Sequence, residues 1–262
     1  MVDWNIILIG TLASLGAGLA TAVGALPVFW KKQISDRALN AMLGFAAGVM
    51  LAASVFSLIV PALELEVGGS IWVVSLGIIC GALFIALIDK WAPHKHFVRG
   101  REGKMTKRLA SLWLFIIAIT IHNFPEGLAV GVSFGSGEIV AGLIVAIAIA
   151  LQNIPEGTAV AMPLLRENYS RKKSFLIAAC TGLVEPIGAF IGVALVSIAS
   201  FFLGFGMAFA AGAMIFVVSS EIIPETHARG NSKNLVTFGL MTGFVIMMFL
   251  DVWIEPLLET LL

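Results

Sequence analysis

The run His122-Asn123-Phe124-Pro125-Glu126-Gly127 returns as Gln152-Asn153-Ile154-Pro155-Glu156-Gly157, each copy inside a long stretch that is otherwise almost wholly apolar. Each copy sets a metal-ligand side chain and a carboxylate four residues apart, a spacing that places both on one face of a helix. Imidazole, amide and carboxylate groups are costly in hydrocarbon and are seldom kept there unless they act on an ion, a proton or one another. A third carboxylate, Glu185, stands beside Pro186 in the next apolar stretch. Taken singly, a core histidine is usually satisfied by a neighbouring carbonyl, and a membrane Asn or Gln often only joins helices. Three carboxylates together are harder to explain in that way. No Lys or Arg lies in the middle of these stretches, so the countercharge is either a proton or a bound cation.

The elements that must position these groups are membrane spans. The chain has 262 residues, 59% of them hydrophobic and 12% charged, with mean hydropathy +1.01; an ordinary globular domain is about 25% charged. Eight apolar segments reach spanning length, at 5–30, 38–63, 70–91, 109–134, 138–165, 174–199, 203–223 and 235–258, where about 20 residues are needed to cross the core. Segments of this length are helices, because lipid-spanning strands need about 9–11 residues and alternate in polarity. The predicted fold is an all-α integral membrane protein forming a single transmembrane domain, 1–262.

Basic residues orient it. Lys31, Lys32 and Arg37 fall in the first loop; Lys90, Lys95, Arg99, Arg101, Lys104, Lys107 and Arg108 in or beside the third, at 92–108. Arg166, Arg171, Lys172 and Lys173 fall in the fifth loop, and Arg229 and Lys233 in the seventh. The even-numbered loops and both ends have none, so the positive-inside rule puts the odd loops in the cytoplasm and both termini outside, as expected of a cell-membrane protein. Trp4, Trp30, Trp72, Trp91, Trp113 and Trp253 lie near segment ends, where indole favours the interface. The N-terminal segment lacks a basic flank and reads as a first span, not a cleaved signal. Cys80 and Cys180 read as small apolar packers, and no basic domain of nucleic-acid type is present.

His122, Gln152 and Glu185 fall near the middle of the fourth, fifth and sixth spans, the depth at which secondary transporters build sites on interrupted helices. Pro125 and Pro155 are expected to supply the interruptions, freeing the carbonyls of Ile121 and Leu151. Nitrogen and oxygen donors without thiolate suit zinc, iron(II), manganese, cobalt or cadmium better than copper(I), and weak amide ligands suit an ion that must leave. One geometric point resists a shared site. Measured from the turn near Gly135 to Gly137, His122 and Gln152 are level, whereas Glu126 lies nearer that turn and Glu156 farther from it. At about 1.5 Å per residue, ideal antiparallel helices would hold the two carboxylates well apart.

The two hexapeptides with the Glu185-Pro186 pair resemble the ZIP family of zinc and iron permeases, particularly its bacterial branch, and the resemblance covers essentially the whole chain. It implies a transporter, not an enzyme, with no prosthetic group. It implies a binuclear metal site, with His122, Glu126, Gln152 and Glu156 around one ion, Asn123, Asn153 and Glu185 around the second, and Glu126 and Glu156 bridging both. It further implies divalent metal uptake into the cytoplasm, a moving unit of the first, fourth, fifth and sixth spans against a scaffold of the others, and a homodimer. Gly16, Ala20 and Gly24, or Gly44 and Gly48, would permit close helix contacts. Many relatives carry His in place of Gln152, which puts zinc selectivity in question.

Weaker candidates for a metal path are Asp89, His94, His96, Glu221, Glu225, His227 and Asp251, each also explained by helix-end solvation or an ordinary surface position. Two other classes use similar residues. An intramembrane metalloprotease would need an HExxH motif, which is absent. A proton-coupled carrier of a small organic solute could use the same glutamates.

Overall fold

A computed structural model describes residues 4–31, 33–65, 69–91, 107–198, 202–228, 233–254 and 257, the side chains of 89–91, 107–111, 114, 225, 227 and 228 apart. Among these residues every regular element is helical. The order is α1 (Trp4–Ala25), a 3₁₀ turn (Leu26–Phe29), α2 (Asp36–Ala52), a π segment (Ala53–Ile59), α3 (Val60–Glu64), α4 (Ile71–Trp91), α5 (Lys107–Gly135) and α6 (Ile139–Arg166). Then follow α7 (Arg171–Gly182), α8 (Glu185–Ile198), α9 (Phe202–Val217), a π segment (Val218–Ile222), α10 (Ile223–Ala228), α11 (Lys233–Phe249) and a final π segment (Leu250–Ile254). Eight stretches are long and apolar enough to cross a membrane, as expected from the sequence. Their outward faces are apolar. On α4, Trp72, Leu76, Ile79, Leu83 and Leu87 are all exposed, a helical period that suits a face turned to lipid.

Breaks in the spans do not fall where the sequence places them. α5 and α6 run on through Pro125 and Pro155. A proline removes one ladder bond from a long helix, and packing by neighbouring helices makes that tolerable. The sixth span is the one that parts: α7 stops at Gly182, Leu183 and Val184 form a turn, and α8 restarts at Glu185. The three π segments each end two residues before a proline, Pro61, Pro224 or Pro256. The wider turn takes up the strain that the missing N–H and the ring would otherwise put on the preceding carbonyl.

Packing divides the bundle into two sets. In the first, α1 lies along α6 and also against α7 and α8, while α5 lies along α8 and touches α6. In the second, α2 lies along α11 and α4 along α9; α2 against α6 and α5 against α9 join the sets. Glycine sets the closeness of the axes. A Cβ on Gly157 would lie 1.9 Å from the Thr21 carbonyl oxygen, and one on Gly24 would lie 2.0 Å from that of Ile154. In the second set Gly48 meets the Leu240 carbonyl in the same way, and Gly44 that of Val236. Gly16 departs from expectation, with nothing within 4 Å of where its Cβ would stand. The packed face of α1 is instead Ser14, Ala17, Gly18, Thr21 and Gly24, all buried. Cys80 and Cys180 are free thiols.

Candidate metal centre

α5 and α6 present the two hexapeptides from either side of a tight turn, in which Gly137 takes φ +90 and donates its N–H to the Phe134 carbonyl at 3.1 Å. Glycine is suited to that backbone because it carries no Cβ. The turn makes α5 and α6 antiparallel neighbours. α8, docked on α5, brings Glu185 to the same depth: a Cβ on Gly127 would lie 1.9 Å from the Glu185 carbonyl oxygen. The glycine that follows Glu126 therefore admits the start of α8.

His122, Asn123, Glu126, Gln152, Asn153, Glu156 and Glu185 are all buried, none more than 2% exposed. Two hydrogen-bonded pairs organise them. Gln152 Nε2 donates to Glu126 Oε1 at 2.7 Å, and Asn153 Nδ2 donates both to Glu185 Oε1 at 2.7 Å and to the Ala17 carbonyl at 2.8 Å. The second pair thus ties α6, α8 and α1 together. Among the described residues, no three His, Cys, Asp or Glu side chains sit close enough to hold an ion by themselves. As placed, neither His122, Glu126 and Glu156 nor Glu126, Glu156 and Glu185 close around one point, so these side chains must draw together for either trio to hold an ion.

The direct partner of Gln152 is Glu126, one turn along α5 from His122, although His122 is level with Gln152 by residue count from the turn. Side chains on a helix lean toward its N-terminus. On α5 that lean carries Glu126 away from the turn, and on α6 it carries Gln152 and Glu156 toward it. Counting Cα levels omits both displacements, which act in the same sense and narrow the gap.

His122 finds a different neighbour. Its Nε2 lies 3.1 Å from Glu221 Oε1, with the histidine side chain 3% and the glutamate 26% exposed. Glu221 belongs to the π segment after α9; its sequence position only suggested the end of a span. Asp251 lies elsewhere, in the π segment after α11, where its Oδ1 accepts from Ser57 Oγ at 2.6 Å. His94 and His96 lie outside the described residues, as do the side chains of Asp89, Glu225 and His227. Two contributors had no signal in the sequence: the Ala17 carbonyl, and Thr158, whose Oγ1 bonds the Gly24 carbonyl at 2.6 Å.

What remains unpaired defines the chemistry. Both oxygens of Glu156, Oε2 of Glu126 and of Glu185, Oε1 of Gln152, Oδ1 of Asn153, both polar atoms of Asn123 and Nδ1 of His122 are buried without a hydrogen-bond partner. Leaving so many polar atoms unpaired in an apolar interior is expensive unless something binds them. Oxygen and imidazole donors in this mixture match a divalent cation of zinc type.

A polytopic helical bundle with a polar, carboxylate-rich centre at the meeting of α1, α5, α6 and α8 is a multi-pass membrane protein of transporter type. The profile of the ZIP Zinc transporter family matches residues 94–251. Zinc transporter GufA of Myxococcus xanthus is 43% identical over 248 residues, covering 92% of this chain and 97% of that protein. Zinc transporter ZIPB of Bordetella bronchiseptica is 47% identical, covering 88% and 77%. Human zinc transporter ZIP11 is 36% identical, covering 94% and 96%. The chain belongs to the ZIP family, whose members are transporters and not enzymes.

Proposed function

We propose that the protein carries zinc across the cell membrane into the cytoplasm by alternating access, through the buried centre of α1, α5, α6 and α8. The observation that carries this reading is the set of unpaired oxygen and nitrogen donors at mid-span; the names of the relatives supply the metal. Zinc is the cargo, with cadmium, iron(II), manganese and cobalt as further substrates of the same donor set. One ion takes His122, Glu126, Gln152 and Glu156, and a second takes Asn123, Asn153 and Glu185, with Glu126 and Glu156 bridging. The pairs Gln152 with Glu126 and Asn153 with Glu185 divide along these lines, each an amide hydrogen-bonded to a carboxylate assigned to the same ion. The basic odd-numbered loops face the cytoplasm, both termini lie outside, and the working unit is a homodimer.

The test is saturable zinc uptake into proteoliposomes, paired with calorimetry on purified protein. Glu156→Ala should lose one of two bound zinc ions and reduce uptake at least tenfold. Wild-type uptake by Glu156→Ala would refute the site assignment, and a single zinc bound by the parent chain would refute the binuclear reading.

A further inference from the structure

The six residues 30–35 join α1, in the first packing set, to α2, in the second. Two arginines from either side of the α6–α7 connection grip the two ends of this linker. Arg171, the first residue of α7, donates Nη1–H to the Phe29 carbonyl at 2.5 Å. Arg166, the last residue of α6, donates Nη1–H to Asp36 Oδ1 at 2.5 Å and Nη2–H to the Ile34 carbonyl. The ends they grip are well defined. Ser35 caps α2 by accepting from Ala38 N at 3.2 Å, and Ser170 caps α7 by accepting from Lys173 N at 3.3 Å.

These grips differ in what they connect. Arg171 to Phe29 lies within the first set, as does Trp113 Nε1 donating to the Tyr169 hydroxyl at 3.1 Å. The contacts of Arg166 cross from the first set to the second. Six of the seven central donor residues sit on α5 and α6 and the seventh on α8, so exposing the centre first to one side and then to the other requires the first set to shift against the second. Such a shift leaves the grip of Arg171 intact and must break that of Arg166. The pair is suited to breaking, because the Asp36 side chain is 62% and that of Arg166 19% exposed. Water can replace each partner cheaply, and an exposed ion pair is worth little.

We propose that Arg166, bridging Asp36 and the Ile34 carbonyl, is a releasable latch that holds the two sets in the present arrangement and opens during each transport cycle. This rests on the alternating-access reading above. The planar guanidinium is needed because it binds a carboxylate and a carbonyl at once, and lysine presents only a point charge.

The full chain, with Cys80 and Cys180 changed to Ser, is spin-labelled at Arg37→Cys on α2 and Lys172→Cys on α7, both exposed positions, and reconstituted for pulsed distance measurement. Arg166→Ala and Asp36→Ala should each raise the ratio of the longer to the shorter distance by about two- to fivefold, Arg166→Lys by less. The maximal uptake rate should change, and the apparent zinc affinity should shift by no more than the same two- to fivefold factor, since zinc and the latch bias one equilibrium. If both alanine variants keep the parent distribution while the parent redistributes on adding zinc, the latch is refuted and alternating access stands. If a transporting parent shows one distance with and without zinc, alternating access fails and the latch with it. Asp36→Ala carries the test should Arg166→Ala not fold.

Discussion

Replacing Gly157 by alanine tests whether backbone contact between α1 and α6 sets the geometry of the metal centre. The added Cβ would stand 1.9 Å from the Thr21 carbonyl oxygen, where ordinary contact begins near 3.4 Å. Both partners are helix backbone, so no flexible side chain can yield, and the axes must separate by roughly 1.5 Å. Two hydrogen bonds cross this interface, from Asn153 to the Ala17 carbonyl at 2.8 Å and from Thr158 to the Gly24 carbonyl at 2.6 Å. That separation breaks both. Overpacking costs about 1–3 kcal/mol and each lost bond about 1 kcal/mol. The total of about 3–5 kcal/mol should lower the melting temperature by roughly 6–20 °C. Asn153 also holds Glu185, so zinc affinity should weaken by about tenfold, since displacement of about 1 Å at a ligand is costly. Thermal denaturation in detergent and calorimetry with zinc read the two effects. Gly16→Ala on α1, with nothing within 4 Å, is the control and should leave both unchanged. Parent stability and zinc affinity in Gly157→Ala would refute the argument.

Gln152→His replaces a weak amide ligand with imidazole and removes the bond to Glu126 Oε1. Zinc should bind about tenfold more tightly and leave more slowly, so calorimetric affinity should rise while the maximal uptake rate falls; unchanged affinity would show that position 152 does not reach the ion. Ser57→Ala removes the buried donor to Asp251 at 2.6 Å between the second and eighth spans, and removing one partner of a buried hydrogen bond costs about 1–3 kcal/mol. The variant should melt several degrees below the parent, and an unchanged melting temperature would count against that bond as a tie between the π segments that follow α2 and α11.

The eight helical spans and the identity of the polar residues within them were legible in the chain alone. Hydrophobic runs of spanning length have one structural solution in lipid other than a barrel, since every backbone group must be satisfied within the segment. The repeated hexapeptide announced itself because imidazole, amide and carboxylate groups are conspicuous against an apolar background. Glycine at a helix contact could be suspected, but not which glycine. Gly24, Gly44 and Gly48 meet neighbouring carbonyls while Gly16 faces open space, and the sequence is equally small at all four.

Tertiary structure decided the rest. Which donor faces which depends on the lean of side chains and on how helices cross, so Gln152 joins Glu126 and not the level of His122. Pro125 and Pro155 leave their helices whole, and the break falls before Glu185 instead, because neighbouring helices determine whether a freed carbonyl can be tolerated. Glu221 reaches His122 because a π segment and a long-range packing choice bring the seventh span to the fourth. The grip of Arg166 on Asp36 and Ile34 joins residues more than a hundred positions apart. Local sequence sets what each segment can be. Only the packed bundle sets which segments meet, because contacts between distant helices are fixed by the complementarity of whole faces.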